Sequence, residues 1–417
     1  MNRREWMIAA CAAAVGALVV AAPVALISTA QHASASGAGS SLAGAPSPGE
    51  ASSSPTAVEP TAPSTLECCG SGTLDAEGVG AAAAEGSQDV QNDAKPSTKE
   101  SEGTAASAAA VVSAAPPAAQ VPRCPAATVN VGTADALAEA LEAAQPGDVI
   151  GMADGVYEGN FVAEASGTSS EPIVLCGSQD AILDSGGPKE GYVLHLDGAS
   201  HWTLLGFTVR NGQKGVMADG SQGSVIAGLT VHQIGDEAIH LRGHSSDNAV
   251  IGNTIFDTGL RRDKYGEGVY VGTAQSNWCD ITDCKPDNSD RNLIQDNTIY
   301  DVTAEAIDVK EGTSNGAIRG NSFDGSAVTS DGGDSWVDVK GNQWLIEGNV
   351  GESSPNDGFQ THEILEGWGA GNVFRDNVAD VGGPGYGISL TPSLDNVVAC
   401  SNIVTNAAEG YSNVACI

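Results

Sequence analysis

Three glutamates stand at the head of one recurring six-residue phrase. Glu237-Ala238-Ile239-His240-Leu241-Arg242 is followed by Glu267-Gly268-Val269-Tyr270-Val271-Gly272 and by Glu305-Ala306-Ile307-Asp308-Val309-Lys310. Two more copies start at Ser335 and Asp357 and carry Asp338, Lys340 and His362 at the matching places. Side chains alternate across a strand, and equivalent positions of stacked parallel strands lie about 4.8 Å apart. Such stacking makes Glu237, Glu267 and Glu305 one column, and His240, Tyr270, Asp308 and Asp338 a second. Arg242, Lys310 and Lys340 form a third. Carboxylates stacked at that spacing repel one another, and a cation among them relieves the cost. Carboxylate oxygens are the ligands Ca²⁺ prefers. Two stacked lysines are expected to depress each other's pKa, and a lysine that loses its proton near neutral pH is a general base. The structural alternative is a Glu–Lys ladder that only neutralises itself.

A cation site beside a poised lysine suits one reaction well. β-Elimination of a uronate polysaccharide removes the proton at C5, next to a carboxylate whose charge must first be neutralised. A bound Ca²⁺ can do that as a Lewis acid, and a lysine then takes the proton. Two rival readings use the same face. Asp308 and Asp338, on adjacent strands, could act as the paired carboxylates of a glycoside hydrolase. Alternatively, the face only binds carbohydrate and the molecule is a surface scaffold.

These columns require a solenoid, and the sequence repeats as one. Asn recurs at 253, 297, 321, 349, 377 and 402, each after Gly, Asp or Ser and mostly before a β-branched residue. Apart from one 44-residue step the spacing is 24 to 28 residues, the period of a solenoid. Gly206-Phe207-Thr208-Val209 and Gly228-Leu229-Thr230-Val231 are earlier rungs without the Asn. Apolar residues alternate around each corner as strands do. Asn tolerates the left-handed conformation of a sharp corner, and stacked Asn side chains can hydrogen-bond along the stack. Ala134 to Ala144 reads as a short amphipathic helix ended by Pro146-Gly147, suited to capping the first open edge. The expected fold is all-β, a right-handed parallel β-helix with an N-terminal capping helix. With 53 glycines and 5% aromatic residues, the composition suits that turn-rich fold better than a helical bundle.

Residues 1–35 read as an export signal: Arg3 and Arg4, an apolar run from Met7 to Leu26, and Ala33-Ser34-Ala35 for cleavage. Uncleaved, that run could anchor the chain in a bilayer. Residues 36–122, rich in Ala, Ser, Pro and Gly, read as a disordered linker or stalk. The domain is expected over 123–417, outside the membrane once the signal is cleaved, secreted or tethered at the cell surface, and monomeric. Most of the formal charge of -34 falls in that domain, which excludes nucleic acid as a partner. Of nine cysteines, Cys11 leaves with the signal and Cys68 and Cys69 lie in the linker. Six remain, and proximity favours Cys124–Cys176, Cys279–Cys284 and Cys400–Cys416.

From about Val129 onward the chain resembles the secreted β-helix polysaccharide lyases. Ala134-Asp135-Ala136-Leu137, Pro146-Gly147-Asp148-Val149-Ile150, Asp154-Gly155-Val156-Tyr157, Ser166-Gly167-Thr168 and Glu171-Pro172-Ile173-Val174 are similar to the N-terminal rungs of two groups. These are the family six alginate and chondroitin lyases and the family nine pectate lyases. Glu305 through Lys310 resembles the family six segment in which a Ca²⁺-binding Glu precedes the catalytic Lys. The resemblance implies Glu305 as a ligand and Lys310 as base. With Glu267 it also resembles the acidic cluster of family nine, which implies Glu267, Glu305 and Asp308 as Ca²⁺ ligands and Lys340 as base. The chain departs from family six at Thr303 and Val339, where that family has Glu and Arg. Asn356-Asp357-Gly358-Phe359 and Gly371-Asn372-Val373-Phe374-Arg375 resemble a family nine phrase, with His362 in place of Lys. An acidic polysaccharide is the implied partner.

One interruption of the repeat, between Gly272 and Arg291, contains Trp278, Cys279 and Cys284. Insertions in solenoids often bind. Arg261, Arg262 and Lys264 form a basic cluster on the neighbouring turn. Arg261, Arg262 and Trp278, with Arg242, His240, Tyr270, Asp338 and His362, are expected to contact the sugar chain. The bland alternative for Trp278 is a packed side chain in a surface loop.

Overall fold

The computed structural model describes residues 121–417. The expected export signal and all of the expected linker except residues 121 and 122 lie outside the described residues, as do Cys11, Cys68 and Cys69.

Strands of mostly three or four residues are linked by sharp corners into three parallel sheets. The first sheet has eleven strands, from Val129–Val131 to Val397–Val398; the second has ten, from Gly155–Glu158 to Ile403–Thr405. The third, also of ten, runs from Phe161–Ala163 to Gly410–Ser412 and carries the Glu-led phrases. Every strand pairs in parallel with its equivalent one turn away, so the chain is a parallel β-helix of about ten turns. Inward residues of all three sheets meet in one core. Val250, Ile255, Val269, Ile294, Ile299 and Ile307 are fully buried there, each such side chain contributing about 1.5–3 kcal/mol.

The helix Ala134–Glu142 forms as expected. Thr133 caps it by accepting from the Ala136 N–H, and Leu137 and Leu141 are buried in the main core. Among the described residues no helix is long and apolar enough to cross a membrane.

The asparagine ladder forms, with one correction. The left-handed residue at the corner is the one before the Asn: Gly252, Asp296, Gly320, Gly348 and Asp376 have φ of 55–66°. This leaves each Asn free to turn inward. Asn321 Oδ1 accepts from both the backbone N–H and the side-chain amide of Asn297 at 2.9 Å. The Asn321 amide in turn donates to the Ile294 carbonyl and to Asn349. The same pattern runs from Asn253 to Asn402. Buried corner amides thus find the partners they would otherwise lack. Disulfides join Cys124–Cys176, Cys279–Cys284 and Cys400–Cys416, the pairs proximity favoured.

Candidate active site and cation centre

The third sheet brings the phrases into register. His240 pairs with Tyr270, Tyr270 with Asp308, and Asp308 with Asp338. The neighbouring register puts Val339 opposite Thr361, so Lys340 and His362 continue the column begun by Lys310. Inward Ile307, Val309, Val337 and Val339 anchor these strands in the core.

Glu267, Glu305 and Asp308 converge, with one carboxylate oxygen of each lying within 4.8 Å of the others. All three are buried, and Glu267 Oε2 has no hydrogen-bond partner among the described residues. Gly333 closes over the cluster: a Cβ there would come within 2.7 Å of the Glu305 carboxyl carbon. Burial, followed by the charges of Glu237, Asp308 and Glu305, pushes the Glu267 carboxyl well above its ordinary value. Burial and then Asp308 raise Glu305 to about 7, against the pull of Lys340. Buried carboxylates in this state need protons or a cation. An all-oxygen donor set with an unpartnered oxygen fits a hard cation such as Ca²⁺. Glu237, the third member of the expected column, is instead paired with Lys214 at 2.6 Å.

The lysines differ from expectation. Asp308 bridges them, 2.5 Å from Lys310 Nζ and 2.7 Å from Lys340 Nζ, and Lys340 also lies 2.7 Å from Asp338. Burial disfavours both ammonium groups. For Lys310, the charge and hydrogen bond of Asp308 and the charges of Glu267 and Glu305 outweigh it, and the pKa is raised. For Lys340, Asp308 and Asp338 do the same, against the repulsion of Lys310. The expected mutual depression fails because a carboxylate, not water, lies between the two cations. Lys340 lies between Asp308 and Asp338 and pairs with both. The ion pairs continue outward, as His362 Nδ1–H donates to both oxygens of Asp338 at 2.9 and 3.0 Å.

Beside this chain lies a cavity of about 200 Å³ lined by Lys214, Glu237, His240, Arg242, Tyr265, Tyr270, Thr273, Asn277, Asp280 and Ile281. Lys310 Nζ sits 5.0 Å from the centre of the ring of Tyr270, one of the cavity's lining residues. His240 is buried, its Nε2–H donating to the Gly272 carbonyl at 2.9 Å. Burial, with Lys214 and Arg242 nearby, holds its pKa well below the usual value. Arg242 is fixed by Asp219, which also meets His195 at 2.9 Å.

The stapled loop supplies one wall. Its base is pinned where the Gly243 and His244 N–H groups donate to Asp287. Trp278 is not a sugar platform: it is buried, and its indole N–H donates to the Thr273 carbonyl at 2.7 Å. The small loop has no other apolar group of that size to hold it together. Arg261 is committed to Asp236. Arg262 stays half-exposed, 4.2 Å over the Tyr265 ring, and can still reach a ligand.

Sequence reasoning missed Lys214 and Asp219. The signal was present, because Asp219 pairs with Arg242, so Lys214 through Asp219 is the same phrase one rung earlier, led by Lys instead of Glu. Tyr265, Asn277, Asp280 and Ile281 left no repeat signal, being in turns and the inserted loop.

Residues 279–415 match the family model described as "Right handed beta helix region". No curated protein matches the sequence. Among solved structures, an alginate lyase from Paenibacillus sp. str. FPU-7 is 33% identical, with a TM-score of 0.64 over 68% of this chain and 97% of that one. Pectate lyase Pel9A is 16% identical, with a TM-score of 0.44 over 64% of this chain and 72% of its own. A mannuronic acid specific polysaccharide family 6 lyase from human gut microbiota is 16% identical, with a TM-score of 0.37 over 63% and 66%. With the identity and coverage of the Paenibacillus enzyme added to the fold and the columns, the chain belongs to the right-handed parallel β-helix polysaccharide lyases.

Proposed function

We propose that residues 123–417 form an exported lyase domain that cleaves an acidic, uronate-containing polysaccharide by β-elimination, with Lys310 as the proton acceptor. The observation that carries this reading is the buried Glu267–Glu305–Asp308 cluster, which shares Asp308 with Lys310 at 2.5 Å. A Ca²⁺ held by these three residues would supply Lewis-acid neutralisation of the substrate carboxylate and withdraw the counter-charge that keeps Lys310 protonated. Lys310 is the better placed lysine, since its side chain is 15% exposed and borders Tyr270. Lys340 is enclosed by Asp308 and Asp338, and its role is to hold those carboxylates in place. Tyr270, Tyr265, Asn277 and Arg262 would contact the sugar in the adjoining cavity. The 33% identity to an alginate lyase supports a polyuronate of that kind as substrate. Three disulfides support an oxidising, extracellular setting, with residues 1–35 as the export signal and 36–122 as a stalk.

The test is ultraviolet absorbance of the unsaturated product over pectate, alginate, glucuronan and chondroitin. Lys310→Ala is expected to lower kcat on the preferred substrate by about 10²–10⁴ with the fold intact. No absorbing product from the wild type on any polyuronate would contradict the lyase reading and favour a binding scaffold.

A further inference from the structure

Elimination involves two proton movements, and Lys310 accounts for one. When the bond between C4 and the glycosidic oxygen breaks, the departing oxygen carries negative charge until it receives a proton. A side chain able to donate there should be oriented by a partner, open to solvent for recharging, and on the same face as the base.

His362 meets these conditions. It stands two rungs from Lys310 in the same column, at the far end of an unbroken line of ion pairs: Lys310, Asp308, Lys340, Asp338, His362. Asp338 grips Nδ1 with both oxygens at 2.9 and 3.0 Å, which fixes the ring and leaves Nε2 with no partner among the described residues. The side chain is 31% exposed, whereas Asp338 is buried. The backbones of the two residues are two rungs, about 9–10 Å, apart, and Lys310 carries the longer side chain of the pair. The charged groups facing the ring are Asp338 and Lys340 on the preceding rung and Asp334 on the segment leading to it. On the next rung its neighbour is the uncharged Thr391. Glu363, next in the chain, is engaged by the Gly367 N–H. The hydrogen bond that His362 donates to Asp338 raises the His362 pKa against the opposing effect of burial.

We propose that His362, oriented by Asp338, is the general acid of the elimination, a role that rests on the lyase reading of this site. The C5–H bond breaks, its proton goes to Lys310, and its electron pair becomes the C4=C5 double bond. The C4–O bond breaks as the His362 Nε2–H proton passes to the departing oxygen. His362 is left neutral and is recharged from water. Asp338 is a positioning residue, acting through the ring.

The experiment is the pH dependence of kcat/KM for wild type, His362→Gln, His362→Ala and Asp338→Asn on the best polyuronate, with circular dichroism to confirm folding. His362→Gln and His362→Ala are expected to lose about 10²-fold or more in kcat. They should also lose the alkaline limb that reports His362 deprotonation, and added imidazole should restore part of the rate of His362→Ala. Asp338→Asn should move that limb to lower pH. A folded His362→Gln with kcat and alkaline limb close to wild type overturns the acid role while leaving the elimination intact. A wild type that forms no unsaturated product overturns both.

Discussion

At the scale of single residues, the site is organised by compensation. Asp308 belongs to a buried acidic cluster on one side and pairs with two lysines on the other. Among the described residues Lys340 Nζ pairs only with carboxylates, and removing it leaves Asp308 and Asp338 buried with less counter-charge. Lys340→Ala is therefore expected to cost about 3–5 kcal/mol, read as a shift of the urea midpoint. The more exposed Lys310 should change kcat far more than stability. The convergence of Glu267, Glu305 and Asp308, with Lys310 beside them, was legible because β alternation maps sequence onto space with a period of two. The protonation of the lysines was not legible, because it depends on which rotamers bring Asp308 between them. The inward turn of Trp278 was also hidden, being decided by packing within one irregular loop.

At the scale of elements, the corners set the register on which every column depends. A one-residue slip would turn Asp308 and Lys310 into the core. The asparagine ladder guards against this, since each amide is tied to the rung on either side. Asn321→Ala would strand the Asn297 donors and the Ile294 carbonyl in a buried corner. It should cost about 2–5 kcal/mol, measured by denaturant unfolding, with much smaller losses for changes at exposed Val350. The ladder was readable as a recurrent Asn, yet the left-handed residue was misplaced by one. The repeat signals the corner but not which of its two residues bends. The inserted loop, by contrast, breaks the period, so its fold over Gly243 could not be read from spacing.

At the scale of the whole molecule, an acidic domain holds carboxylates that resist ionisation, so its stability should be linked to pH and to Ca²⁺. Glu305 titrates at about 7 in the folded chain and near the ordinary ~4.3 when unfolded. Between those values the folded state binds more protons. With Ca²⁺ chelated, stability should therefore rise as pH falls from about 7 toward about 5, and should fall as pH climbs through about 7. Added Ca²⁺ should raise Tm more at about pH 8 than at about pH 5, where protons already fill its place. Calorimetric scans across that range check both statements. The most direct measurement is the rate of unsaturated-product formation against free Ca²⁺ for wild type and Glu267→Gln. A saturable Ca²⁺ dependence in the wild type that is lost, or moved to much higher Ca²⁺, in Glu267→Gln is the expected result. Full wild-type rate in chelator, unchanged by Glu267→Gln, would contradict the buried acidic cluster as the cation centre of this lyase.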